Sequence, residues 1–273
     1  MSMLIKAGFE IRFTTTKPTP MMALLSVHPS RASDLRTQPH LATDPAIDTH
    51  DYSDSFGNMV TRFVLPEGET IISNSFVIDD SGLHDRVVPD AEQHSVEELP
   101  DEVLVYLLGS RYCETDRLSD TAWGLFGHVP PGWQRLQAIL DFTHEHIEFG
   151  YQHARPTKTA WDAHQERRGV CRDYAHLAIT LCRCMNIPAR YCTGFLGDIG
   201  VPPTDNPMDF SAWLDVYLGG EWITVDARHN KPRIGRILMA RGRDATDCAL
   251  TTAFGSAILT GFTVHTDVVD SIG

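Results

Sequence analysis

The stretch "FSAWLDVYLGGEWITVDAR", residues 210–228, leaves its backbone few choices. Two runs rich in β-branched and aromatic residues flank Gly219-Gly220, a pair suited to a two-residue hairpin turn in which both central residues take positive φ. Such a turn fixes the register. Leu218 faces Glu221, so Trp213 faces Asp226 and Ser211 faces Arg228. Positions 211, 213, 226 and 228 then share one face, and 211 and 226 become diagonal neighbours roughly 7–8 Å apart.

A second stretch, "RRGVCRDYAHLAITLCR" (167–183), supplies what such a ribbon could serve. Tyr174, Leu177, Ala178, Leu181 and Met185 recur at steps of three and four, which predicts a helix over 171–186 with Cys171 in its first turn. Amide N–H groups there lack intrahelical acceptors, and the helix macrodipole favours an anion. A thiol so placed is expected to have a lowered pKa, with Arg172 adding positive charge, and the same amides could hold an oxyanion during acyl transfer. The competing reading of a free cysteine is a small core hydrophobe. That reading is taken for Cys182, Cys184, Cys192 and Cys248, which lie in apolar runs, while Cys113 reads as an unpartnered loop cysteine. With positions 211 and 226 both turned toward the helix that carries Cys171, the layout is that of a nucleophile, a base position and an orienting carboxylate.

The remainder reads as α+β. Residues 5–13 alternate strictly, with Ile5, Ala7, Phe9, Ile11 and Phe13 on one face, and "NMVTRFVLP" and "ETIISNSFVIDD" are further strands joined at "PEGE". Residues 29–57 read as a long loop. A small all-β domain is expected over 1–97. Helical spacing follows in "LPDEVLVYLLG", "SDTAWGLFG" and "PPGWQRLQAILDFTHEHIEF", then the Cys171 helix, a strand at "ARYCTGFLG" and the hairpin, so an α+β core is expected over 98–273.

The segments "SRYCETDRLSD", "AWDAHQERRGVCRDYAHLAITLCRCMNIPARYCTGFLG", "MDFSAWLDVYLGGEWITVDARHNKPRIGRI" and "ARGRDATD" together resemble the transglutaminase-like superfamily, which includes bacterial cysteine-protease-like members. The resemblance implies a papain-like core preceded by a β-sandwich, with the nucleophile at Cys171 and its carboxylate at Asp226. It puts the family's base histidine at position 211, where this chain has Ser211. A hydroxyl does not accept a thiol proton at neutral pH as an imidazole does. His229, three residues after Asp226, is the substitute base, but in the ideal register it faces Phe210 on the opposite side of the ribbon. It joins the site only if the strand ends or bulges near Ala227, as Pro232 shortly after would favour. His164 is a weaker candidate. His176 points about 140° away from Cys171 around the helix and reads as a packed histidine. Trp161, Gln165, Trp213 and Arg228 are candidate substrate-binding residues, with Gln165 a candidate oxyanion donor.

Other signals exclude more than they propose. His144-x-His146 and Cys182-x-Cys184 would diverge on helices, so no metal is expected, and no cofactor. The net charge of −13 disfavours nucleic acid and anionic membrane as partners, and no segment reaches the roughly 18 apolar residues of a spanning helix. The N-terminus carries Lys6, Glu10 and Arg12 where a signal peptide needs an apolar run, so a cytoplasmic protein with reduced cysteines is expected. Six basic residues within 228–243 read as internal salt-bridge partners for residues such as Asp244 and Asp247, or as an arginine cluster for an acidic substrate. Oligomeric state is not legible. The functional expectation is cysteine-dependent acyl transfer on a peptide or protein substrate, hydrolysis before cross-linking. The rival is a peptide-binding module that lost turnover through Ser211. A third reading makes the β-domain a partner-recruiting unit on a scaffold core.

Overall fold

The structure is a computed structural model that describes residues 3–37, 39–203 and 207–272. Strand β1 (Met3–Thr15) realises the alternation of its sequence: Ile5, Ala7, Phe9, Ile11 and Phe13 are all buried, and the residues between them are mostly less so. After β2 (Thr19–Ala23), the expected loop over 29–57 holds a 3-10 turn at Pro29–Asp34 and two short strands, β3 (Ala42–Asp44) and β4 (His50–Ser53). Strands β5 (Met59–Leu65) and β6 (Gly68–Asp80) follow. The turn between β5 and β6 does not pair them; it carries the chain from one sheet to the other.

The helices then arrive in the expected order. A single turn, α1 (Asp101–Leu104), stands where a longer helix was predicted, with a 3-10 turn over Val105–Leu107. Next come α2 (Thr115–Phe126), α3 (Trp133–His146), the two-residue β7 (Glu148–Phe149), α4 (Ala160–Glu166), β8 (Arg168–Gly169) and α5 (Cys171–Cys184). The central antiparallel sheet runs β11-β10-β9-β12, built from β9 (Ala189–Leu196), β10 (Ser211–Leu218), β11 (Glu221–Val225) and β12 (Arg236–Gly242). The Gly219-Gly220 turn has φ of 62° and 80°, and Leu218 faces Glu221. Pairing holds back to Leu214 and Val225, and there β11 stops.

The chain ends in β13 (Thr251–Ala253) and β14 (Ile258–Val269), and here the expected boundary at 97/98 fails. Strand β14 pairs with β1 along almost its whole length and β13 pairs with β2. The two sheets of the β-sandwich are therefore β14-β1-β6-β3 and β13-β2-β5-β4, completed from the far end of the sequence. Strand pairing at long sequence distance leaves no local mark, which is why periodicity alone assigned these residues to the core.

Two apolar clusters hold the layers. One joins α2, α3 and α5 to Ala212, Leu214, Val216, Leu218, Ile223 and Val225 of the hairpin. The other fills the sandwich and takes in Phe195, Phe210, Ile237 and Met239 from the central sheet. The even-numbered residues of β10 thus face α5, and Ser211, Trp213 and Asp215 face away from it. The body of α5 is not what residues 211 and 226 look toward, contrary to the expectation. Within α5, Cys171 at its start is reached by the charge of Asp226.

Candidate active site

The first turn of α5 is shaped by its own sequence. The Val170 N–H donates to Asp173 Oδ2 at 2.9 Å, closing the turn, and Asp173 N–H returns to the Val170 carbonyl at 2.8 Å. Gly169 is required beside it, since a Cβ there would sit 2.5 Å from Asp173 Oδ2. The amides of Cys171 and Arg172 have no acceptor among the described residues, so the helix start presents two donors in the turn that carries the sulfur.

Cys171 is partly buried, with the backbone of Ala212 beside its sulfur. Its pKa does not fall as expected. Burial raises it above the ordinary thiol value, and the charges of Asp209 and Asp226 add to that against the opposing charge of Arg228. Arg172 is turned elsewhere, donating to the Arg155 carbonyl at 2.6 Å. Burial thus favours the neutral thiol over the thiolate.

Just past the end of β11, Asp226 organises a turn. Its Oδ1 accepts the N–H groups of Arg228 (2.9 Å) and His229 (3.1 Å), and the Asn230 N–H reaches the Asp226 carbonyl at 2.8 Å. This reversal brings His229 round to the side of Asp226, which an extended strand would forbid. His229 donates Nδ1–H to Asp226 Oδ2 at 2.8 Å, and Arg236 Nη2 donates to the same oxygen at 2.9 Å. Burial of Asp226 works to raise its pKa, but the Arg236 charge and the His229 hydrogen bond outweigh it and hold the carboxyl well below the usual carboxylate range. A lasting carboxylate fixes the His229 tautomer with Nε2 as acceptor. Nε2 has no partner among the described residues.

The turn is held from outside by His144 of α3, which donates Nδ1–H to the carbonyls of Arg228 (2.8 Å) and Ala227 (3.2 Å). Arg236 is held in turn by Asp85, at 2.9 Å from Nε, and lies 5.0 Å over the Trp213 ring. Sequence reasoning missed His144, because it was weighed only as half of a metal pair. It counted Arg236 in a basic cluster without its partner. Arg243 does pair with Asp247, as expected, but Asp244 takes the N–H groups of Tyr112 and Thr246.

A cavity of about 670 Å³ opens beside this turn. Ser211, Asp209, Arg228, His229 and Tyr151 line it, with Thr266–Val268 of β14 on the sandwich side. Cys171 is outside the lining and is joined to it through Ala212, next to Ser211, and through the charge of Arg228, whose guanidinium lies 3.8 Å over the Phe149 ring. The cavity gathers Ser211, His229 and Arg228 of the expected residues, with Asp226 directly behind His229.

It does not gather the others. Trp161 lies under the Arg117 guanidinium at 4.3 Å, Gln165 is exposed on α4, and Trp213 is buried on the sheet face under Arg236. None of the three lines this cavity. Trp161 and Gln165 were expected there from nearness to Cys171 in the chain, but Trp161 meets Arg117 of α2 and Gln165 faces solvent, while Trp213, expected from the hairpin register, lies under Arg236. His164 stacks on His146 at 4.7 Å. His176 is fully buried against Tyr112, accepts the Ala245 N–H, and is driven by burial to a pKa of about 3, as suits a packed histidine.

Comparison with known proteins agrees with this architecture. The family model for the transglutaminase-like superfamily matches residues 124–227. A solved structure named as a putative cysteine protease, from Cytophaga hutchinsonii, superposes with a TM-score of 0.84 at 29% identity, covering 100% of this chain and 93% of that one. An uncharacterized protein of Mycobacterium leprae is 26% identical over 227 residues, 76% of each chain. One of Mycobacterium tuberculosis is 32% identical over 90 residues, 30% of this chain and 29% of that protein. Residues 124–227, from the end of α2 to the turn after Asp226, are a transglutaminase-like superfamily domain.

Proposed function

We propose that this protein is a cysteine-dependent acyl-transfer enzyme that hydrolyses peptide or amide bonds, with Cys171 as nucleophile, His229 as base and Asp226 as the carboxylate that orients it. The observation that carries the reading is the His229–Asp226 hydrogen bond on the wall of the cavity that also holds Ser211 and Arg228. Likeness to the Cytophaga protein named as a cysteine protease supports the same chemistry.

In this reading His229 Nε2 takes the thiol proton as Cys171 sulfur attacks the substrate carbonyl carbon. The tetrahedral oxyanion is held by the free amides of the α5 start. The imidazolium, stabilised by Asp226, passes its proton to the leaving amine as the C–N bond breaks, and a thioester remains on Cys171. Water, losing a proton to His229, then releases the acid and restores the thiol. Ser211, at the position of the family's base, has no part in proton transfer.

A second reading rests on the serine at 211, with the burial of Cys171 disfavouring its thiolate: a module that binds peptides in the same cavity without turnover. Intact-mass analysis with an amide or activated-ester acyl donor separates the two. The enzyme reading expects a thioester adduct of wild type that is absent in Cys171→Ala and formed ~10²-fold or more slowly in His229→Ala. Saturable peptide binding with no adduct at any pH sinks it and leaves the binding module.

A further inference from the structure

The face of the central sheet turned away from α5 also gathers charged residues that carry no proton in the proposed reaction. A cavity of about 410 Å³ lies between that face and the β-sandwich, lined on the sheet side by Arg190, Trp213, Asp215, Trp222, Arg236 and Arg241 and on the sandwich side by residues of the 80–86 segment with Ser30 and Arg31. Register explains the gathering. Cys192 pairs with both Trp213 and Arg241, and Arg190 pairs with Asp215, so these side chains stand in adjacent rows on one face.

Most of the arginines there are spent. Arg190 is paired with Asp215 at 2.8 Å and stacked over Trp222 at 4.1 Å. Arg236 holds Asp85 and Asp226. Arg241 is different: its guanidinium has no ion pair and no hydrogen bond among the described residues, though it is half-buried and near Arg190. Burial, and next the charge of Arg190, push its pKa down, and the charge of Asp215 opposes this only in part. Two further guanidinium nitrogens, Arg236 Nη1 and Arg233 Nε, are buried without a partner among the described residues, and both residues line the same cavity at less than one-tenth exposure. Buried cationic donors of this kind are normally satisfied.

We propose that the cavity between the central sheet and the β-sandwich is a binding site for a small oxyanion of the phosphate or carboxylate type, with Arg241 as its principal ligand and Arg236 as a neighbour. Guanidinium forks bind both groups in two-point fashion, and desolvation in a cavity between layers strengthens the contact. Through Arg236, which also holds Asp226, the bound anion touches the support of the candidate active site from behind.

Isothermal titration and thermal denaturation of the full chain, at constant ionic strength in chloride, with inorganic phosphate and with succinate as probes, test this. The expected result is saturable binding of at least one probe, with a matching rise in Tm. Phosphate alone assigns a phosphate-type ligand, and succinate alone a carboxylate. Arg241→Met should weaken the affinity at least about tenfold, and without anion should melt no lower than wild type, because a half-buried charge opposed only in part has been removed. Arg241→Lys, which keeps the charge and loses the fork, should bind weakly. Lys231→Met, which removes a charge outside this cavity, should leave binding intact. Absence of saturable binding of either probe at millimolar concentration overturns the proposal. So does wild-type affinity in both Arg241 variants, or loss of binding in Lys231→Met.

Discussion

His229 Nδ1 lies 2.8 Å from Asp226 Oδ2, three residues apart in a turn that begins where β11 ends. Had the strand continued for three more residues, the two side chains would stand on opposite faces. The pair exists because Asp226 spends its other oxygen on the N–H groups of Arg228 and His229 and so bends the chain.

Removing that carboxylate is expected to cost stability as well as chemistry. Asp226 is buried with Arg236, and Asp226→Asn leaves the arginine only Asp85, at a cost of about 3 kcal/mol or more at neutral pH. The folded carboxyl titrates below its unfolded value of about 3.9, so its stabilisation is complete above that pH and fades as pH falls toward the folded value. Urea unfolding from pH 7 to pH 3 should show a flatter acid limb in the variant. Parallel curves for both proteins would contradict this.

The thiol makes a prediction of opposite sign. Because burial raises the pKa of Cys171, its alkylation in the His229→Ala protein should follow an inflection above the ordinary thiol value of about 8.5. Mass-resolved iodoacetamide labelling between pH 6 and pH 10 reads it directly. An inflection near pH 6 would mean that the helix start and Arg228 outweigh burial.

Gly169 tests how the nucleophile is seated. An added methyl meets Asp173 Oδ2 at 2.5 Å and its Cβ at 2.6 Å, so Gly169→Ala must displace the carboxylate that closes the first helical turn. A loss of about 1–3 kcal/mol is expected on thermal unfolding, together with slower labelling of Cys171. An unchanged Tm would show that the turn yields freely.

His144 is expected to act as a positioning residue. His144→Phe keeps the ring and removes the donor to the carbonyls of Ala227 and Arg228, for about 1 kcal/mol of stability. Acyl-adduct formation on Cys171 should slow several-fold, and His144→Asn, whose amide can donate, should recover part of it. Equal rates in Phe, Asn and wild type would reduce His144 to packing.

Ser211→Ala completes the set. Ser211 lines the cavity, but its hydroxyl is given no proton to carry, so adduct formation should stay within about threefold of wild type. A loss comparable to that of His229→Ala would return the base function to position 211.

The sequence by itself determined what short-range chemistry dictates. Strict alternation placed Ile5 to Phe13 on a buried face, Gly219-Gly220 set the hairpin register from Leu218 to Leu214, and three-four spacing seated Cys171 at the helix start. Only the tertiary structure decided what depends on distant partners. It returned β13 and β14 to the sandwich, turned Arg172 away from the sulfur, and moved Trp161 and Gln165 off the cavity. It also set the thiol against its expected shift, because the desolvation of a sulfur is a property of everything packed round it. His229 stood on the boundary between the two. Its sequence position named it, and its role waited on where one strand stopped.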